Sequence, residues 1–453
     1  MLETVTIQNF KSLKDVTVKL QKVNLLIGPN NSGKSNFLKS LIFVNEHMMQ
    51  RVRPGNTDLN RMYFGQNINH ANTAIPPILF EFKWAGESGN GPNVIYHLEL
   101  FGYNANNVLV YNELIGVFKN EIPDGRKLEE IDNWIKDINK FFVVFSQNKA
   151  YVTKNLASER IKEIIVSEKL HTELSFYSNK GEIIRLVTPH SPGIFVQGLI
   201  LDELALSFTP SSFFNSIKIY KPDPLKISKE SLLLFDKHVN EDCSNLVAFL
   251  DNMRDEHPNI WKAIETDLKK CIPEFEGINF GKVSIANGTA NGTTMAGQQN
   301  SIGKRFGLRD KFGKTYWAEE LSEGTIYFLA LLAIIHQPDP PKLLLLEEPE
   351  KGIHPRRISE VMNFIFRLAE EKDIQIILTT HSTQVVDEFQ DIPESVFVFE
   401  LQDGETKIKN LLTDIIEPDN IKAETKGYPK LDFNKHSLGE HWAIGFLGGV
   451  PAK

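Results

Sequence analysis

The sequence predicts an α/β fold: a mixed, mostly parallel sheet core, an antiparallel β lobe beside it, and a mainly helical insertion between the two halves. Three observations predict it. The apolar run Val23–Ile27 passes at once into a glycine-rich turn and then a helical apolar spacing, the order of a buried strand feeding a helix. Beyond residue 305, apolar strands alternate with helical patterns, as parallel pairing requires. Residues 77–84 and 94–118 alternate apolar and polar positions, as in an antiparallel meander.

Taken in order, Val5 and Ile7 alternate with polar neighbours, and Val16, Val18 and Leu20 repeat the pattern after a turn expected at Lys14-Asp15. Phe37, Leu38, Leu41 and Ile42 recur at helical spacing behind the glycine-rich turn. Ile78, Phe80 and Phe82, then Val94, Tyr96, Leu98 and Leu100, mark the meander. Residues 127–140 (Ile131, Trp134, Ile135, Ile138) and 155–172 (Ile161, Ile164, Ile165) mix charges with apolar positions at helical spacing, so 119–271 reads as the helical insertion. Residues 287–300 are small and polar and predict a loop. A helix at 323–336, a strand at 343–346, a helix at 356–370 and a strand at 374–380 follow, before a hairpin turning at Asp403-Gly404. The expected division is an N-terminal lobe at 1–118, the insertion at 119–271, a C-terminal lobe at 272–417 and a tail at 418–453.

Composition narrows the classes. The 50 Lys and Arg against 58 Asp and Glu give a net charge of −8, which argues against a general nucleic-acid coat and leaves a local basic groove open. Cys243 and Cys271 are the only cysteines, too few for a disulfide scaffold and wrongly spaced for structural zinc. The longest apolar stretch, from Ile326 to Ile335, falls short of the ~18 residues of a membrane span. The N-terminal residues show no secretory apolar region, so a cytoplasmic location is expected.

Four pieces carry chemistry. Gly28-x-x-x-x-Gly33-Lys34-Ser35 is a phosphate-loop pattern: backbone N–H groups face phosphate, Lys34 reaches the β/γ oxygens and Ser35 holds Mg²⁺. Leu343-Leu344-Leu345-Leu346-Glu347-Glu348-Pro349 is an apolar strand ending in two acids at the sheet edge where α/β ligands bind. One carboxylate can serve the metal through water and the other can orient or deprotonate the attacking water. Leu321-Ser322-Glu323-Gly324-Thr325 opens a helix and offers a hydroxyl and a helix dipole to phosphate, or serves as a plain cap. His381 stands where the strand 374–380 ends, on the same sheet edge as Glu348.

This ordered set resembles the ATPase heads of the ABC superfamily. The long separation of Ser322 from the phosphate loop, and the opening Ile7-Gln8-Asn9-Phe10-Lys11-Ser12, resemble its SMC/RecF/OLD-type branch rather than transporter cassettes. The ending 438–451 resembles stand-alone bacterial OLD-like ATPases, many of them associated with phage defence. The resemblance covers 1–118 and 272–417 and is vague between them.

It implies ATP and Mg²⁺ as ligands. Lys11, Asn30, Asn31, Ser32, Gly33, Lys34, Ser35 and Asn36 would bind nucleotide, with Ser35 and Glu347 on the metal. Glu348 would be the catalytic base and His381 the switch histidine. Ser322 and Gly324 would meet the γ-phosphate held by a second subunit, so that two heads sandwich two ATP molecules in a homodimer or a larger assembly. Residues 350–355 would link the two sites. Three departures stand out: Glu347 replaces the commoner Asp, Glu323 and Thr325 replace the Gly and Gln of transporter signatures, and the metal-sensing glutamine is open among Gln66, Gln147 and Gln197.

The leading expectation is a dimeric ATP-hydrolysing switch that controls a separate effector, such as a nuclease. Asp403, Glu405, Asp414, Glu417 and Asp419 are too scattered to form a nuclease centre of the chain's own. One alternative is a nucleotide-dependent scaffold with little turnover. Another is a RecF-like clamp binding DNA in a salt-sensitive way, through Lys and Arg in 149–170 and 262–270 that otherwise read as solvated faces. The tail residues Trp442, Ile444, Phe446 and Leu447 read either as docked on the parent domain or as a partner-binding peptide.

Overall fold

The computed structural model describes residues 1–48, 77–84, 93–103, 109–118, short strands between 141 and 187, and 217–229, 231–232, 237–285, 301–426 and 437–449. The chain opens with β1 (Leu2–Phe10), β2 (Leu13–Lys19), β3 (Val23–Ile27) and α1 (Lys34–Met48), followed by β4 (Ile78–Trp84), β5 (Asn93–Tyr103) and β6 (Leu109–Phe118). β1 pairs antiparallel with β2 and β4, and β4, β5 and β6 continue as the expected meander. The first turn differs from its expected place. It falls at Lys11 and Ser12, with Lys14 and Asp15 inside β2, because Asn9 and Lys11 take positive φ (58° and 53°). Asparagine tolerates that conformation, and the Asn9 amide donates to the Pro77 carbonyl at 2.9 Å.

The described part of the insertion corrects the helical reading. β7 (Phe141–Ser146) and β8 (Lys149–Thr153) extend the β1–β6 sheet, and β9 (Glu163–Val166), β10 (Glu173–Tyr177) and β11 (Ile183–Val187) form a three-stranded antiparallel sheet. Adjacent isoleucines such as Ile164 and Ile165 satisfy either period, and their branched side chains fit a pleated strand better. Residues 127–140 and the 287–300 loop lie outside the described residues.

Residues assigned to the insertion's end instead complete the core. β12 (Ile217–Tyr220) joins the central sheet, and β13 (Ser231–Leu232) joins a smaller one. α2 (Leu246–Glu256) and α3 (Pro258–Cys271) contribute Leu250, Ile264 and Leu268 to the main apolar cluster. Next come β14 (Phe275–Ile285), β15 (Ser301–Asp310), β16 (Thr315–Trp317), α4 (Glu323–His336), β17 (Leu343–Glu347), α5 (Ile358–Glu371), β18 (Gln375–Thr379), α6 (Thr383–Asp387), β19 (Val396–Gln402), β20 (Glu405–Asn410) and α7 (Leu438–Ala443). The hairpin turns at Asp403-Gly404 as expected.

The central sheet runs β12-β17-β18-β3-β19-β20, parallel through β19 and antiparallel at β20. Its inner strands β17, β18, β3 and β19 are covered on both faces, which explains their continuous apolar runs. Leu343, Leu345 and Ile377 pack with Phe37, Leu38 and Leu41 of α1 on one face. Leu344, Leu346 and Leu378 pack with α4 and α5 on the other. α4 is apolar all round because it is buried all round, every residue from Ile326 to Ile335 being at most 3% exposed. Among the described residues no helix is long and apolar enough to cross a membrane.

The tail docks through Leu438, Trp442 and Leu447, all buried, while Ile444 and Phe446 stay exposed. Trp442 Nε1 donates to the Gly449 carbonyl at 3.2 Å, Gly449 N–H to Glu400 Oε1 at 3.1 Å, and Gly439 N–H to Asp387 Oδ1 at 2.7 Å. Trp442→Ala should therefore cost about 3 kcal/mol, read as a lower unfolding midpoint in denaturant. An unchanged midpoint would mean that the tail rests on the core without stabilising it.

Candidate functional site

β3 ends at Ile27 and the chain turns through Gly28 (φ 143°), Asn31 (φ 65°) and Gly33 (φ 104°) into α1. A Cβ on Gly28 would overlap the Phe399 carbonyl, and one on Gly33 would overlap the Thr406 hydroxyl, so conformation and space both demand glycine. The loop is closed from outside by the β19–β20 hairpin. Thr406 Oγ1 donates to the Ser32 carbonyl at 3.0 Å and meets Ser12 Oγ at 2.7 Å, Asn36 Nδ2 donates to Ser12 Oγ at 2.8 Å, and Thr406 N–H donates to the Ser12 carbonyl at 2.7 Å. Since the Thr406 proton goes to Ser32, the Ser12 hydroxyl donates to Thr406.

Inside this cradle Lys34 is buried, its ammonium donating to the carbonyls of Gly28 (2.6 Å) and Pro29 (3.0 Å). Burial lowers its pKa to about 8, against the pull of Glu348. The Ser32 hydroxyl is buried and has no hydrogen-bond partner among the described residues. Ser35 is exposed in the first turn of α1, Asn30 and Asn31 are exposed on the loop, and Lys11 is half-buried in the turn next to Ser12. Burial, then Lys39, holds the Lys11 ammonium below its usual pKa. Orphaned and carbonyl-bound donors in a glycine cradle at a helix N-terminus fit a phosphate chain.

The acids follow from the parallel register. Glu347 continues the Leu343, Leu345 alternation, so it stands on the α1 face, the side of Ser35. Its carboxylate meets Lys221 at 2.7 Å. Glu348 takes a left-handed turn (φ 49°) held by its N–H on the Thr379 carbonyl at 3.0 Å. Its Oε1 lies 4.0 Å from His381 Nε2. His381 is shifted down by burial, then by Lys34, with Glu348 opposing, so the ring is neutral at pH 7. Glu350 ties the loop after β17 to the end of β18: Thr380 Oγ1 donates to its Oε1 at 2.5 Å and His381 N–H does so at 3.4 Å. Burial raises the Glu350 pKa, and its Oε2 is buried with no partner among the described residues.

Ser322 caps α4, accepting from Thr325 N–H at 3.2 Å and pairing with Thr325 Oγ1 at 2.9 Å, which gives the Thr325 departure a local role. Gly324 lies so close to the Gly352 carbonyl that a Cβ would overlap it, and Gly352 itself needs φ 74°. Among the described residues, neither Ser322 nor Gly324 bonds the phosphate loop. The chain thus brings Lys34, Glu348 and His381 together, places Glu347 beside them, and holds Ser322 and Gly324 apart against 350–353. Sequence reasoning missed Ser12, Thr406 and Lys221, each of which joins the site across the sheet rather than along a motif. Gln66, Gln147 and Gln197 lie outside the described residues.

Lys34 carries a pH dependence. A phosphate arriving beside it raises its pKa again, so binding takes up a proton once the free group has begun to lose it. Nucleotide affinity should be flat below pH 8 and fall above it, by up to about tenfold per pH unit, measured by titration calorimetry in buffers of different ionisation heat. Affinity that stays level to pH 9.5 would place the phosphates away from Lys34.

An energy-coupling factor transporter ATP-binding protein of Ligilactobacillus salivarius is 30% identical over 131 residues, covering 26% of this chain and 43% of that protein. An uncharacterized ABC transporter ATP-binding protein of Methanocaldococcus jannaschii is 22% identical over 224 residues, covering 49% and 64%. A probable amino-acid ABC transporter ATP-binding protein of Sinorhizobium fredii is 37% identical over 51 residues, covering 11% and 20%. The chain thus spans less than two thirds of each of these relatives. The SMC head domain from Thermotoga maritima superposes with a TM-score of 0.40 at 13% identity, over 90% of this chain and 98% of that one. The fold is an α/β P-loop fold, a mostly parallel sheet with the glycine-rich loop set between β3 and α1. Residues 23–387 match the model of the family described as "AAA domain, putative AbiEii toxin, Type IV TA system", and the chain belongs to that family.

Proposed function

We propose that the protein is a dimeric ATPase switch that binds and hydrolyses ATP and so controls a separate effector, a nuclease being the leading class, in bacterial phage defence in the cytoplasm. The observation that carries this reading is the convergence of Lys34, Glu348 and His381 at one edge of the parallel sheet, with Glu348 Oε1 4.0 Å from His381 Nε2.

Lys34, Ser32 and the loop N–H groups hold the phosphates, with the charge on the β/γ oxygens met by the Lys34 ammonium. Glu348 orients a water and accepts its proton. Neutral His381 offers one ring N–H to the terminal phosphate while its other nitrogen remains an acceptor. Ser35 and Glu347 would hold Mg²⁺, which when bound neutralises charge on the β/γ oxygens.

Ser322 and Gly324 complete the site of the second head, and their packing on Gly352 connects that contact to the loop of Glu350. Three of the late acids have structural partners. Glu405 pairs with Lys14 and Lys407, Asp414 accepts from Asn410 N–H, and Asp419 pairs with Lys422.

Glu348→Gln should lower ATP turnover by about 100-fold or more while retaining ATP binding, and an ATP-dependent dimer should accumulate in sedimentation. Turnover at the wild-type rate would remove Glu348 from the mechanism. ATP-driven dimers without any phosphate release by the wild-type protein would favour the scaffold.

A further inference from the structure

The sheet register chooses the neighbour of Glu347. β12 is the edge strand beside β17, and its ladder pairs Tyr220 with Leu346. One residue further, Lys221 therefore stands beside Glu347, and its Nζ lies 2.7 Å from Glu347 Oε2. The lysine main chain is fixed as well, its N–H donating to the Glu241 carbonyl at 2.8 Å. The Glu347 side chain is 25% exposed, so its carboxylate has limited access to other cations, whereas the Lys221 side chain, 52% exposed, has a free path outward.

We propose that Lys221 is the resident counter-ion of Glu347, occupying the carboxylate that Mg²⁺ requires, so that loading the metal is an exchange of one cation for another. This rests on the reading of Glu347 as the metal-side acid. An ammonium and a divalent ion sharing one carboxylate repel each other, so each weakens the hold of the other. Lysine suits the exchange, being a point charge on a flexible stem. Its departure costs least when a terminal phosphate supplies a new anionic partner, which ties metal entry to nucleotide entry. Without nucleotide, Glu347 stays neutralised and discriminates against free Mg²⁺.

The test reads binding rather than turnover. The Mg²⁺ concentration at half-saturation is measured for an ATP carrying a fluorescent ribose label, at low ionic strength, with wild type, Lys221→Met, Glu347→Gln and Lys218→Met. Lys218 is exposed on the same strand and controls for loss of a positive charge. Lys221→Met should lower the requirement by about two- to five-fold, the effect shrinking as salt is added, and Lys218→Met should match wild type. An unchanged or higher requirement in Lys221→Met, with Mg²⁺ dependence lost in Glu347→Gln, would overturn the counter-ion role and leave the metal-side assignment standing. Wild-type Mg²⁺ dependence in Glu347→Gln would overturn both.

Discussion

The parallel register of the central sheet is the constraint on which the site depends. Tyr220, Leu346, Leu378, Leu25 and Val396 share one row across five strands, and on β12, β17 and β18 the next residues are Lys221, Glu347 and Thr379. A slip of one residue would turn Glu347 and Thr379 to the opposite face. Apolar packing alone tolerates such slips in strands buried on both sides, so the register needs polar fixing points. Gln375, buried beneath β1, accepts from Leu2 N–H at 3.1 Å and donates to the Leu2 and Gln21 carbonyls at 2.8 and 2.9 Å. Asn24, fully buried in β3, donates to the carbonyls of Gln21 and Ile376 at 2.7 and 3.1 Å. An unmatched buried amide costs 1–3 kcal/mol, so each of these side chains selects one alignment.

Two closures then turn an aligned edge into a site. The Thr406–Ser12–Asn36 chain binds the last hairpin to the first turn and to α1, and with them the phosphate loop. The Glu350–Thr380 contact and the Gly324–Gly352 contact join the loop after β17 to the switch histidine on one side and to the start of α4 on the other. His381 therefore has a short covalent and hydrogen-bonded connection to Ser322. In the proposed dimer this route couples the phosphate held by one copy to the surface offered to the other.

Contiguous chemistry was the legible part of the sequence. Gly28 to Ser35 and Leu343 to Glu348 each carry strand, turn and reactive groups in one run, so local spacing suffices to place them. The Ser12–Thr406 bond spans 394 residues and joins two residues of unremarkable type, and no periodicity signals it. Lys221 was hidden because β12 has only four residues and pairs with a strand more than a hundred positions later. Within the segment 155–172 read as helical, the described residues 163–166 form a strand, because clustered isoleucines fit both periods and sheet pairing decided between them. The core boundary was misplaced for a related reason: α2 and α3 look like ordinary amphipathic helices, and only their packing against α4 shows which body they belong to.

In the proposed dimer one working site needs the phosphate loop of one copy and the Ser322 helix start of another. It is tested most directly by mixing Lys34→Ala protein with Ser322→Arg protein, each inactive alone, and measuring phosphate release. Shared sites predict recovery to about a quarter of the wild-type rate, because half of the dimers are mixed and each mixed dimer holds one intact pair. A mixture as inactive as its components would contradict the claim.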